Sequence, residues 1–145
     1  MDAIKQRRRI LVIDDEEAIL EVIAAMLREL GYEVTCAKDA AQGINLYKQA
    51  KVLNQLFAAV LVDLTMPGEM GGKEIIKHLL AIDAKVKAIV SSGYPIEVVM
   101  SDYKKYGFSG AISKPYRIEE LDKMLNRIIS EKEPNNTFCC SSILL

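Results

Sequence analysis

The sequence predicts a doubly wound α/β domain, and three observations predict it. Five short apolar runs occur along the chain, they lack strict alternation, and segments with helical spacing separate them. The runs are "RILVID" (9–14), "YEVTCA" (32–37), "AAVLVDL" (58–64), "KAIVSS" (87–92) and "GAISK" (110–114). Short runs rich in Val and Ile read as strands covered on both faces, the state of strands inside a parallel sheet. Five alternations of strand and helix then imply right-handed crossovers and helices on both faces. The second run alternates more than the others, as an edge strand does.

The helices follow in order. Between the first two runs, Ile19, Val22, Ile23, Met26, Leu27 and Leu30 recur at three and four, an amphipathic stripe that Gly31 is suited to cap. Asp39 followed by Gln42 resembles a capping box and opens a helix through Ile44 and Tyr47 toward residue 52. A third helix carries Ile75, Ile76, Leu79 and Leu80. A fourth follows Pro95, uses Val98, Val99 and Tyr103, and stops near Gly107. The fifth shows Ile118, Leu121, Met124, Leu125, Ile128 and Ile129, with Arg117 where a good N-cap would stand.

Composition narrows the function classes. The chain has 145 residues, half of them apolar, with nineteen basic and twenty acidic side chains and a formal charge of -1. That length suits one domain, and that charge supplies no global field toward nucleic acid or an anionic membrane. The organisation expected is a basic leader over 1–8, one domain over 9–130 and a disordered tail over 131–145, where periodicity stops. Cys36, Cys139 and Cys140 form neither a disulfide framework nor a zinc site. Without a signal-peptide core or a spanning apolar run, the expected location is the cytoplasm.

The chemistry lies at the ends of the runs. In such sheets the ligand crevice sits beyond the carboxyl ends of the strands, where strand order reverses. The first run ends in Asp14 and Asp15, the third in Asp63, the fourth in Ser91 and Ser92, and the fifth in Lys114 before Pro115. Carboxylates gathered in one pocket repel, and a hard divalent cation removes that cost. Oxygen-only ligands favour Mg²⁺, with Mn²⁺ the alternative, and leave room for water and a phosphate oxygen. Lys114 adds a point charge that pairs with phosphate or carboxylate. Asp63, on the central run, is the candidate nucleophile toward phosphorus, flanked by Asp14 and Asp15 as metal ligands. The plain alternatives are helix-dipole partners for Asp14 to Glu17 and a structural ion pair between Asp63 and Lys114.

Together "VIDDEEAIL", "VLVDLTMPGEMGGKE", "IVSSGYP" and "ISKPY" resemble the receiver domain of bacterial two-component response regulators, which also occurs fused to hybrid histidine kinases. The resemblance covers about residues 8 to 130. It implies a five-stranded flavodoxin-like sheet of order 2-1-3-4-5 and a Mg²⁺-dependent phosphoacceptor. The phosphoryl group would come from a histidine kinase or phosphotransfer protein. By that resemblance Asp63 accepts phosphate, and Asp14, Asp15 and the backbone carbonyl of Thr65 serve the metal. Ser92 would hydrogen-bond the phosphoryl oxygen and Lys114 would pair with it. Ser91 also offers a hydroxyl, and matching "SSGY" to the family's "TGY" favours Ser92. Ala111 stands where the family often has an aromatic residue, which bears on how the switch is transmitted. "MPGEMGG" and "QAKVLNQLF" are both longer than the common form.

The reading is a signalling module rather than an enzyme, with output to a protein partner through the face of helix 4, strand 5 and helix 5. An aspartyl-nucleophile phosphatase is the rival from another class, but Thr65 occupies the position where such enzymes carry a second Asp. A non-phosphorylated interaction module with the same fold is the third.

Overall fold

The computed structural model describes residues 8–64, 66, 71–93 and 101–130. Five strands form one sheet: β1 (Arg9–Ile13), β2 (Glu33–Ala37), β3 (Ala59–Asp63), β4 (Ala88–Ser92) and β5 (Gly110–Ser113). All neighbouring pairs are parallel and the order is β2-β1-β3-β4-β5, with β2 at an edge as its alternation indicated. Among the described residues the helices are α1 (Glu17–Glu29), α2 (Ala40–Val52), α3 (Gly72–Ile82), α4 (Tyr103–Tyr106) and α5 (Ile118–Ser130).

The pleat sends alternate side chains into two cores. On one face Ile10, Val12, Leu61 and Ile89 meet Leu20, Ile23 and Leu27 of α1 and Leu121, Leu125 and Ile128 of α5. On the other, Leu11, Ile13, Val60, Val62 and Val90 meet α2 through Tyr47 and α3 through Ile75, Ile76 and Leu79. The three central strands are buried on both faces, which is why their runs do not alternate.

The helix ends explain several boundaries. The Asp39 side chain accepts from the Gln42 amide at 2.8 Å, and the Gln42 side chain accepts from the Lys38 amide at 2.9 Å. The reciprocal cap is therefore present, displaced by one residue on its return bond. α5 compensates for Arg117 differently: the Glu120 carboxylate accepts from the Arg117 amide at 2.8 Å. Gly31 and Gly107 close α1 and α4 at φ 99° and 103°, where a side chain is strained. One expectation shifts. Val22 belongs to the sequence stripe of α1, yet it is 53 % exposed, and Leu20 and Ala24 are buried instead. The buried face of α1 is thus rotated toward Leu20, Ile23, Ala24 and Leu27, which pack on the sheet. The fourth helix departs from the expected single run: Asp102 is a non-helical bend and the helix from Tyr103 lasts four residues before Gly107, while Pro95, Val98 and Val99 fall outside the described residues, as do the leader up to residue 7 and the tail from residue 131.

The two sides of α1 and α5 should separate in an unfolding experiment. Leu125→Ala, at a fully buried position, is expected to lower stability in urea by about 2–5 kcal/mol. Val22→Ala should change it by no more than about 0.5 kcal/mol.

Candidate functional site

The carboxyl ends of β1, β3 and β5 converge on one point. Asp14 follows the last residue of β1, where its amide bonds to the Ala37 carbonyl at 3.1 Å. One of its oxygens, Oδ1, accepts from the Glu16 amide at 3.0 Å, so the turn into α1 holds it. Asp63 is the last residue of β3 and pairs in register with Ser91 of β4. Asp14 and Asp63 are both buried and Asp15 is exposed, yet carboxylate oxygens of all three lie within 4.8 Å of one another.

Lys114 reaches into this group across 100 residues of sequence. Its Nζ donates to Asp14 Oδ2 at 2.8 Å and to Asp63 Oδ1 at 3.1 Å. Its own position is set by the sheet, since its amide bonds to the Ser92 carbonyl at 2.7 Å. The Lys114–Pro115 peptide is cis. Sequence reasoning placed these four residues on one rim, and the structure brings them together. The Asp63–Lys114 ion pair offered as the plain alternative is present in the same geometry as the acid cluster.

The electrostatics follow from that geometry. At 4.8 Å and an effective dielectric near 20, each carboxylate pair repels by about 3 kcal/mol. One ammonium faces three carboxylates, and the remaining deficit equals the charge of one divalent ion. The ligand set is all oxygen, partly buried and partly open, which fits a hard cation rather than zinc. Burial and the neighbouring Asp14 push Asp63 up to about 6, although Lys114 opposes the shift. Burial works against the Lys114 ammonium, but its bonds to Asp14 and the charge of Asp63 outweigh this and hold it above its ordinary value.

Ser91 and Ser92 are both buried at the end of β4, with Ser92 in register with Ser113. Thr65 and Tyr94 lie outside the described residues. Glu17 occupies the first turn of α1, the place where an acid meets the helix dipole. His78 is exposed on α3. One neighbour escaped the sequence reading. Tyr116, two residues past Lys114, is 7 % exposed, and its hydroxyl finds no hydrogen-bond partner among the described residues. Burial, then the charges of Asp14 and Asp63, push its phenol up. An aromatic after a strand-end proline gave no signal of this, because only the fold buries it within the field of the acids. Beside it a cavity of about 380 Å³ is lined by Ile19, Val22, Ile23 and Met26 of α1 together with Pro115.

Fold and rim define the class: an open parallel α/β domain whose reversed strand order sets an acidic, metal-competent crevice at the carboxyl edge. The chain belongs to the response regulator receiver domain family of two-component signalling, whose model matches residues 10–126. It is 29 % identical over 122 residues to the chemotaxis protein CheY of Thermotoga maritima, covering 83 % of this chain and 97 % of that one. It is 28 % identical to probable histidine kinase 6 of Oryza sativa subsp. japonica, covering 84 % of this chain and 14 % of the kinase. The chain thus spans nearly all of some curated relatives and less than half of others, such as 45 % of a receiver protein of Anaeromyxobacter. Among solved structures, the receiver domain of the sensor histidine kinase PA1611 of Pseudomonas aeruginosa, which has a magnesium ion in its active site cleft, superposes with a TM-score of 0.76. It is 26 % identical and is covered to 99 %, against 86 % of this chain. A receiver domain protein of Clostridium thermocellum gives a TM-score of 0.75 at 26 % identity, covering 84 % of this chain and 94 % of that one. No helix of the described residues is long and apolar enough to cross a membrane.

The raised Asp63 carboxyl links stability to pH. The folded state binds that proton more tightly than the unfolded chain, whose value is near 3.8, so this contribution is fully present below about 3.8 and is lost as pH rises through about 6. Asp63→Asn, which removes the charge and keeps the shape, should therefore stabilise the metal-free protein at pH 7.5 by about 1–3 kcal/mol. The difference should shrink toward zero at pH 4, as read by urea unfolding in the presence of a chelator.

Proposed function

We propose that this chain is the phosphoacceptor of a two-component phosphorelay, taking a phosphoryl group onto Asp63 from a phosphohistidine of a kinase or phosphotransfer protein. The observation that carries the reading is the meeting of Asp63, Asp14 and Lys114 at 2.8 and 3.1 Å on one sheet rim. Asp14, Asp15 and Asp63, with the Thr65 carbonyl, would hold Mg²⁺, or Mn²⁺ in its place. The bound ion supplies charge neutralisation for the transferring group.

The residues divide the remaining work. Lys114 engages one oxygen of Asp63, fixing the carboxylate, and its ammonium is available to a phosphoryl oxygen that arrives beside it. An Asp63 oxygen forms the new bond to phosphorus as the phosphorus–nitrogen bond of the donor breaks, and the departing imidazole takes up a proton. The Ser92 hydroxyl would then hydrogen-bond a phosphoryl oxygen. The raised Asp63 carboxyl means that the reactive form is populated above about pH 6, and a cation in the cluster would draw that limit lower.

New charge at Asp63 replaces the ion pair with Lys114 by a larger anion, which biases the rim and the strands ending there. Output through the face of α4, β5 and α5 is supported by the position of Lys114, which follows β5 directly. Ala111, half-buried on that strand, packs in the same core as Tyr103 and Tyr106 of α4. Transmission without an aromatic at residue 111 would therefore run through those α4 rings. A signalling role without turnover, in the cytoplasm and with no direct contact to nucleic acid or membrane, fits the net charge of -1. A single domain over 9–130, preceded by a basic leader, is the organisation we favour.

Two outcomes check this. Asp63→Ala should abolish Mg²⁺-dependent labelling by acetyl phosphate; labelling that persists undiminished in that variant would put the nucleophile elsewhere. Asp14→Ala should weaken Mg²⁺ binding, measured by calorimetry, by at least about tenfold. Steady turnover of a phosphomonoester panel, rather than a single slow cycle, would instead favour the phosphatase reading.

A further inference from the structure

The pleat assigns each strand-end residue to one side of the sheet. Ile89 lies in the core shared with α1 and α5, so Ser91, two residues on in β4, points to that same side. The same count runs from Val12 to Asp14, from Leu61 to Asp63 and from Ile112 to Lys114. Ser91 therefore shares a side with both buried acids and the lysine. Ser92 continues the opposite series of Ala88 and Val90, which belong to the core shared with α2 and α3. The two adjacent hydroxyls thus stand on different sides of the rim.

Ser91 is also the direct neighbour of Asp63. The two are Cα partners in the ladder of β3 and β4, and the Leu64 amide donates to the Ser91 carbonyl at 2.8 Å, which holds that register to the end of β3. Neighbouring strands lie about 4.8 Å apart, so rotation of the side chains alone can bring a hydroxyl and a carboxylate oxygen to about 2.7 Å. Both residues are buried, Ser91 at 3 % and Asp63 at 6 % exposure, so water competes poorly for either. Among the described residues Lys114 is the one hydrogen-bond donor to the Asp63 carboxylate, on Oδ1 at 3.1 Å, and the Ser91 hydroxyl makes no hydrogen bond. A donor without an acceptor lies next to an acceptor with a single donor.

On the reading of Asp63 as the phosphoacceptor, we propose that Ser91 is a positioning residue for it: the Ser91 hydroxyl takes the carboxylate oxygen that Lys114 gives up when the ammonium turns to an incoming phosphoryl oxygen. Without a replacement donor that oxygen would be left buried and unpaired, a cost the serine removes. The new hydrogen bond also fixes the plane of the carboxyl group, so the other Asp63 oxygen stays aimed at phosphorus while the bond to it forms. The serine O–H stays intact throughout. The bond made is Asp63 oxygen to phosphorus, the bond broken is phosphorus to the donor imidazole, and the imidazole takes up the proton. Each carboxylate oxygen carries two lone pairs, so the contact is compatible with a cation on the same oxygen. Ser92, on the other side of the rim, keeps its separate contact to the phosphoryl group.

The full chain carrying Ser91→Val or Ser91→Thr tests this, because the two replacements are nearly the same shape and differ in the hydroxyl. The measurement is the initial rate of Mg²⁺-dependent labelling by acetyl phosphate across its concentration, with Ser91→Ala alongside in case a branched side chain crowds the site. Ser91→Val and Ser91→Ala should lower the maximal rate at least about fivefold and leave the half-saturating concentration within about twofold, the mark of an interaction made while the bond forms. Ser91→Thr should run at least about fivefold faster than Ser91→Val. Mg²⁺ binding by calorimetry should stay within about twofold of the unaltered chain in all three. Equal rates for the Thr and Val variants would make Ser91 a packing residue and overturn the proposal, as would an unchanged rate in Ser91→Ala. A loss of Mg²⁺ affinity large enough to account for the slower labelling would place Ser91 in the metal cluster and overturn it too. Failure of the phosphoacceptor reading itself is seen separately, as undiminished labelling of Asp63→Ala.

Discussion

The ammonium of Lys114 between the carboxylates of Asp14 and Asp63 is the interaction on which the rest of the molecule depends. Those three groups come from the ends of β1, β3 and β5, and no two of them are neighbours in sequence. Their meeting requires the parallel register of four strands and the reversal of order beside β1. A slip of one residue would turn each strand's side chains to the opposite face and disperse the site. The two cores are thus the support that keeps three carboxylates close against their own repulsion.

That support has an energetic consequence. Like charges at this separation oppose folding, and the single lysine answers only part of the deficit. The protein holds a site that is less stable than a neutral one of the same shape, as the raised Asp63 carboxyl records. Such tension suits a device that changes state, because an incoming cation or phosphoryl group acts where the molecule is least settled. The buried Tyr116 hydroxyl, without a partner among the described residues, lies within the field of the same acids and adds to that tension.

The two edges of the sheet are chemically unlike. The carboxyl edge gathers acids around one lysine. The amino edge gathers Lys51, Lys85 and Lys87 around Asp83, with Tyr47 stacked on Phe57 and Arg9 lying over the Phe57 ring at 4.3 Å. A net charge near zero therefore hides a polar molecule, with acid chemistry at one end and a basic, partly apolar surface at the other. Parallel strands make this separation natural, since every strand starts at one edge and finishes at the other.

Much of this was legible in the sequence because periodicity and strand-end chemistry are local properties. The apolar runs, the Asp39 cap, the glycine stops and the acids at residues 14, 15 and 63 can all be read without knowing what touches what. The fold class and the identity of the acid cluster were determined there, since a doubly wound sheet admits few places for polar strand ends to go. Only the tertiary structure decided the rest. The rotation of α1 that exposes Val22 depends on how the helix packs on the sheet, and the burial of Tyr116 depends on how the chain turns after Pro115. The groove that joins Leu56 to Ile129 depends on packing between residues more than 70 positions apart. Local spacing states which face of a helix or strand is apolar; the distances at which charges and apolar surfaces meet are set by three-dimensional packing alone.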